Sequence, residues 1–168
     1  MTHATDRRNV NGSGGTNPGG IDEVLSSLPQ GYIVATQGDA RLVLGPTGAF
    51  VLLPAGRITD DVAATAHRLA HLVLVTRNAL CDHLTWVPFL DALLVTSADP
   101  PRDVDVTVVP HDLVRDVLIE GPTVITLGTL NSIREALRST RIDGWQIGTG
   151  APGANINLRD PAQPSATR

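Results

Sequence analysis

The sequence predicts an α/β domain with a mixed central β-sheet flanked by helices. Two apolar runs, Arg41 to Leu44 and Ala49 to Leu53, are joined by Gly45-Pro46-Thr47-Gly48, a pattern typical of a β-hairpin. A long helical pattern follows this hairpin directly. Short apolar runs then alternate with short helical patterns, and this alternation is typical of a sheet packed against helices.

The first elements follow from local residue chemistry. Acidic residues at the start of Ile21 to Leu28 favour a helix, because they lie at its positive end, and Pro29 ends it. Tyr32 to Thr36 is predicted to be a strand. Both hairpin arms are apolar at successive positions, which predicts burial on both faces of the sheet. Pro54 indicates that the second arm ends there or reaches a sheet edge.

The long helix is predicted to begin after Thr59 as N-cap and to run to about Leu80, with Asp60 and Asp61 in its first turn. Apolar residues recur along it at helical spacing and predict a buried stripe. That stripe consists of Val62, Ala66, Leu69, Val73 and Leu80. Cys81, at the end of this apolar face, is expected to be a buried and unreactive thiol.

The second half of the chain is predicted to contain three strands and two helices. The strands are Phe89 to Thr96, Val104 to Val109 and Thr123 to Leu127. One helix starts at Pro110 and spans His111 to Leu118, with Leu113, Val114, Val117 and Leu118 facing inward. The other is capped by Thr129 and runs to about Ser139, with Leu130, Ile133 and Leu137 buried.

Length and composition predict one domain with two tails. A chain of 168 residues that is 42% apolar can build a single core. We assign residues 21–143 to this domain. Residues 1–20 are rich in Gly and Asn, and residues 144–168 in Gly, Pro and Ala, so we predict that both are disordered. Trp145, in the second tail, is expected either to pack on the core or to contact a partner.

Charge and cysteine content restrict the classes of function. The net charge is −4 and the 13 basic residues are all arginine and scattered, which disfavours free-standing binding to duplex nucleic acid. One cysteine cannot form an internal disulfide, so the cytoplasm is the expected location. No apolar run approaches the roughly 20 residues that span a bilayer, so no membrane insertion is expected.

The hairpin followed by a long helix resembles the nuclease-related domain, a family with the restriction-endonuclease-like fold. The resemblance runs from about Ile21 to Ser139. It includes Leu28-Pro29-Gln30-Gly31-Tyr32 before the hairpin and Phe89-Leu90-Asp91-Ala92-Leu93-Leu94-Val95 after the helix. It implies, for members that cut nucleic acid, a divalent metal held by an aspartate at the start of the hairpin and a carboxylate at its end. A lysine nearby would stabilise charge or orient water.

This chain departs from the family pattern at each of those positions. The aspartate falls on Ala40, the second carboxylate on Leu53 and the lysine on Ala55. Asp39 is one residue away, and strand alternation puts it on the opposite face. Arg57 cannot give up a proton and does not replace a lysine. The sequence therefore predicts a degenerate domain without catalytic residues or cofactor, which binds or regulates another protein.

An enzyme with a displaced site is the alternative. Asp39, Arg57, Asp60 and Asp61 lie around the end of the hairpin in sequence and could gather Mg²⁺ or Mn²⁺ for a divergent nuclease.

The predicted binding surface combines a helix face with an aromatic segment. His67, Arg68 and His71 share the polar face of the long helix, and Trp86 and Phe89 follow it in an apolar stretch. The spacing of the two histidines also suits a zinc pair. A solvated face is favoured, because a useful zinc site needs a third ligand and supporting hydrogen bonds.

Overall fold

The computed structural model describes residues 19–55, 61–99, 105–140 and 142–147. They form a six-stranded mixed sheet in the order β5-β4-β3-β2-β1-β6. The strands are β1 (Ile33–Gln37), β2 (Ala40–Gly45), β3 (Gly48–Pro54), β4 (Leu90–Val95), β5 (Thr107–Val109) and β6 (Gln146–Ile147). The helices are α1 (Gly19–Ser26), α2 (Val62–Cys81), α3 (Val114–Ile119) and α4 (Leu127–Thr140), with short 3₁₀ turns at His111–Leu113 and Ile142–Gly144. The predicted α/β architecture with a mixed sheet is confirmed.

The predicted hairpin is present as β2 and β3. The ladder closes with Gly45 opposite Gly48, so only Pro46 and Thr47 form the turn. A Cβ at Gly45 would collide with the ring of Tyr32, which explains the glycine. The hydroxyls of Tyr32 and Thr47 both donate to the carbonyl oxygen of Leu118, at 3.0 and 2.5 Å. The turn is therefore fixed to the end of α3.

The sheet changes from antiparallel to parallel after the hairpin. Strands β1, β2 and β3 are antiparallel, and α2 then carries the chain across the sheet to β4, which pairs with β3 in parallel. Pro54, the last residue of β3, is opposite Val95 in this ladder. Pro54 therefore ends an internal strand and does not mark a sheet edge. Strand β5 adds in parallel outside β4, beginning with Thr107 opposite Leu93.

Two apolar clusters cover the two faces of the sheet, because neighbouring strand residues point to opposite faces. Leu42 and Leu44 belong to the cluster under α2 and α4, whereas Val43 belongs to the cluster under α1 and α3. From the helices, the first cluster contains Ala66, Leu69, Leu80, Leu130, Ile133 and Leu137, and the second contains Ile21, Leu25, Val114 and Leu118. The prediction that both hairpin arms are buried on both faces is confirmed.

Helix α2 begins later than predicted. Its N-cap is Asp61, whose carboxylate accepts a hydrogen bond from the Ala64 N–H at 3.1 Å. Thr59, the predicted cap, lies outside the described residues. Within the predicted stripe, Val62 and Val73 are only partly buried, and Thr76 is fully buried instead. Ala66, Leu69 and Leu80 are buried as predicted, and the Thr76 hydroxyl accepts a hydrogen bond from the Trp145 indole.

The predicted strand from Thr123 to Leu127 is wrong. The backbone N–H groups of Val124 and Ile125 both donate to the carbonyl oxygen of Pro46, at 2.8 and 3.0 Å. The segment therefore crosses the hairpin turn and joins no ladder of the described sheet. Thr126, and not Thr129, caps α4, because its hydroxyl accepts a hydrogen bond from the Thr129 N–H at 3.2 Å.

Helix α3 buries fewer residues than predicted. Val114 and Leu118, one turn apart, are buried, but Leu113 and Val117 are exposed. The chain makes a 3₁₀ turn before α3, and α3 itself has only six residues. So short a helix can turn only one narrow side toward the sheet.

The fold reaches Ile147, so residues 144–147, assigned above to the C-terminal tail, belong to it. Trp145 is buried, and its indole N–H donates to the Thr76 hydroxyl at 3.0 Å. Ile147 then pairs with Ala35 of β1. Trp145 is therefore a core anchor. Within the described ranges, no helix has both the length and the apolar content that crossing a bilayer requires.

Candidate functional site

The positions that the resemblance assigns to metal ligands meet at one end of the hairpin. Arg41 is paired with Leu52 in the β2–β3 ladder. Continuing this antiparallel register by one residue places Ala40 next to Leu53. Both are buried in the cluster under α2. Ala55 packs against the same cluster. We call these three residues the hairpin corner.

The residues of the hairpin corner do not fit a divalent metal. Mg²⁺ binds oxygen ligands, and the side chains of Ala40, Leu53 and Ala55 contain only carbon and hydrogen. Among the residues that the structure describes, no group of three or more His, Cys, Asp or Glu side chains is placed to hold a metal ion. The corner is part of the apolar cluster between the sheet and helices α2 and α4.

The two described acids of the alternative site already have hydrogen-bond partners. Asp39 accepts from Arg68 at 2.7 Å, in an ion pair whose two side chains are more than half exposed. Asp61 caps α2 through the Ala64 N–H. Arg57 and Asp60, the other members of that site, lie outside the described residues. Asp39 and Asp61 thus each have a structural role.

The polar face of α2 is exposed, and one of its three predicted residues has an ion-pair partner. His67 and His71 are exposed along the helix. Arg68 extends to Asp39 in the β1–β2 turn, at the hairpin-corner end of the sheet. Cys81, predicted to be buried, is exposed. Leu80, one residue earlier, is fully buried, and the rotation of about 100° between neighbouring helix residues turns Cys81 away from the core.

An open groove lies at the other end of α2. Its volume is about 230 Å³. It is lined by Ala70, Val73, Leu74 and Arg77 of α2, by Phe89, Leu90, Asp91 and Ala92 at the start of β4, and by Asp105 and Thr107 at the start of β5. Phe89 is 71% exposed and Leu74 is 57% exposed, so two large apolar side chains contact solvent here. We call this feature the α2–β4–β5 groove.

The groove lies beside the part of β4 that precedes the β4–β5 ladder. The parallel ladder between these strands begins at Leu93, although β4 itself begins at Leu90. The first three residues of β4 are therefore paired with β3 on one side only, as far as the described residues show. Asp105 and Val106 precede the ladder and are not strand residues.

The groove contains an acid without an electrostatic partner. Asp91 is only partly exposed, and it forms no hydrogen bond or ion pair with a described residue. Burial raises the pKa of its carboxyl above the ordinary value, because desolvation penalises the charged form. Asp105 and Arg77 line the same groove and are exposed. A ligand cation beside Asp91 would offset this desolvation.

The structure brings only part of the predicted surface together. Phe89 lines the groove, whereas Trp86 is 55% exposed in the loop between α2 and β4 and is not among the lining residues. The predicted binding surface does not include Leu74 or Asp91. Each carries a signal in the sequence, since Leu74 is an apolar residue on the polar side of α2 and Asp91 is an acid inside an apolar strand.

Comparison of the chain with protein-family models, with curated proteins and with solved structures finds no match to any of them.

Proposed function

We propose that this protein is a non-catalytic binding or regulatory module on a nuclease-related, restriction-endonuclease-like scaffold, and that it acts by binding another protein. One observation carries the proposal: Ala40 and Leu53 are neighbours in the positions that the resemblance gives to metal-binding carboxylates, and both are buried and apolar. A pair of carboxylates there would share one metal. The methyl group of Ala40 and the isobutyl group of Leu53 are instead part of the hydrophobic core.

The order of elements supports the scaffold. The resemblance requires a hairpin, a long helix and a later core strand. Strands β2 and β3, helix α2 and strand β4 occur in that order, and β4 pairs with the second hairpin arm. The hairpin corner belongs to the apolar cluster shared by the sheet, α2 and α4.

The surface supports a protein as partner. Phe89, Leu74 and Trp86 expose large apolar side chains at the end of α2 that is remote from the hairpin corner. Aromatic residues of this kind are enriched at protein interfaces. The scattered arginines and the net charge of −4 weigh against a phosphate backbone as ligand. The single cysteine suits a reducing compartment, and a cytoplasmic location is part of the proposal.

Thermal denaturation in the presence of Mg²⁺ or Mn²⁺ tests whether the protein is non-catalytic. We expect neither ion to raise the melting temperature, and we expect no cleavage of single- or double-stranded DNA or RNA. A rise that disappears in Asp39→Ala/Asp61→Ala but persists in Asp112→Ala/Asp116→Ala, two exposed acids elsewhere, would establish the displaced metal site and overturn the proposal.

Restoring the family residues tests the scaffold. The variant Ala40→Asp/Leu53→Glu/Ala55→Lys should be less stable than the wild type without metal, because it places two carboxylates in the core. Mn²⁺ should then recover part of the lost melting temperature, since the two positions are adjacent. The same substitutions at Leu42 and Val51, a directly paired site on the same sheet face, serve as the control. Equal recovery in both variants, or none in either, would contradict the family resemblance.

A further inference from the structure

We draw no further inference here: the strongest candidate, the α2–β4–β5 groove, is lined by Arg77 as well as by Asp91 and Asp105, and residues 100–104, which lead into its β5 side, lie outside the described ranges, so nothing in the structure shows what covers it.

Discussion

The hairpin corner and the α2–β4–β5 groove lie at opposite ends of α2, and they differ in how far their apolar side chains are exposed to solvent. At the corner, Ala40 and Leu53 are almost fully buried, although the family resemblance places charged ligands there. At the groove, Phe89 and Leu74 are exposed beside Asp91, an acid without a described partner. The difference indicates that the corner is part of the hydrophobic core, whereas the groove leaves apolar surface and a charged group in contact with solvent.

The same substitution should have very different effects at the two ends. Leu53→Asp places a carboxylate in the core, and we expect it to lower the free energy of unfolding by roughly 4 kcal/mol. Phe89→Asp, at a position that is 71% exposed, should change it by less than about 0.5 kcal/mol. Urea denaturation of both variants measures the difference. Comparable losses would remove the distinction between a closed corner and an open groove.

Close packing at the hairpin turn should also be measurable. Gly45→Ala forces a methyl group against the ring of Tyr32, and we expect a loss of about 1–3 kcal/mol, the usual cost of overpacking. Gly128→Ala, in the first turn of α4, meets only one side-chain atom at 3.8 Å. It should be neutral or stabilising by up to about 1 kcal/mol, because alanine favours helix. A neutral Gly45→Ala would show that the Tyr32 ring moves aside freely.

Two acids should respond oppositely to pH. The hydrogen bond from Arg41 lowers the pKa of the Asp22 carboxyl, so ionised Asp22 stabilises the fold at neutral pH. Burial raises the pKa of Asp91, so its ionisation opposes folding. At about pH 7, Asp22→Asn should therefore lose up to about 1 kcal/mol, the upper range for exposed pairs. Asp91→Asn should gain about 0.5 kcal/mol or less.

The Asp91→Asn difference should vanish as the pH falls below about 4, where Asp91 is protonated in the folded and unfolded states. The Asp22→Asn difference should shrink over the same range and vanish only below the lowered pKa of folded Asp22. Chemical denaturation of the wild type and the two variants at about pH 7 and about pH 3 gives the comparison. A loss of stability in Asp91→Asn at neutral pH would mean that Asp91 has a stabilising partner, although the described residues offer it no hydrogen bond or ion pair.

Local chemistry made the hairpin and α2 predictable. The turn residues and the apolar runs on either side of Pro46 and Thr47 are a signal contained in a few consecutive residues. The same local reasoning was wrong at Val124 and Ile125, whose β-branched side chains favour a strand. Their N–H groups instead bond to the Pro46 carbonyl, a partner far away in sequence. Tertiary contacts override propensity there.

The groove could not be predicted because it depends on where two distant strands begin to pair. Nothing near Leu90 in the sequence says that β5 joins only at Leu93. The anchoring of β6 also depends on residues that are far apart in the sequence, since the Trp145 indole N–H donates to the hydroxyl of Thr76 in α2. The identity of the corner residues, by contrast, was readable directly, and the register of the hairpin added that Ala40 and Leu53 are neighbours.

The most direct test of the non-catalytic scaffold is a titration of the ¹⁵N-labelled full chain with Mn²⁺, a paramagnetic ion that broadens nearby amide signals. We predict no selective broadening of residues 39–41 and 53–61, the region of the hairpin corner and of the displaced site. Selective broadening there at low Mn²⁺, reversed by excess Mg²⁺, would contradict the account, because it would show a metal site at the end of the hairpin.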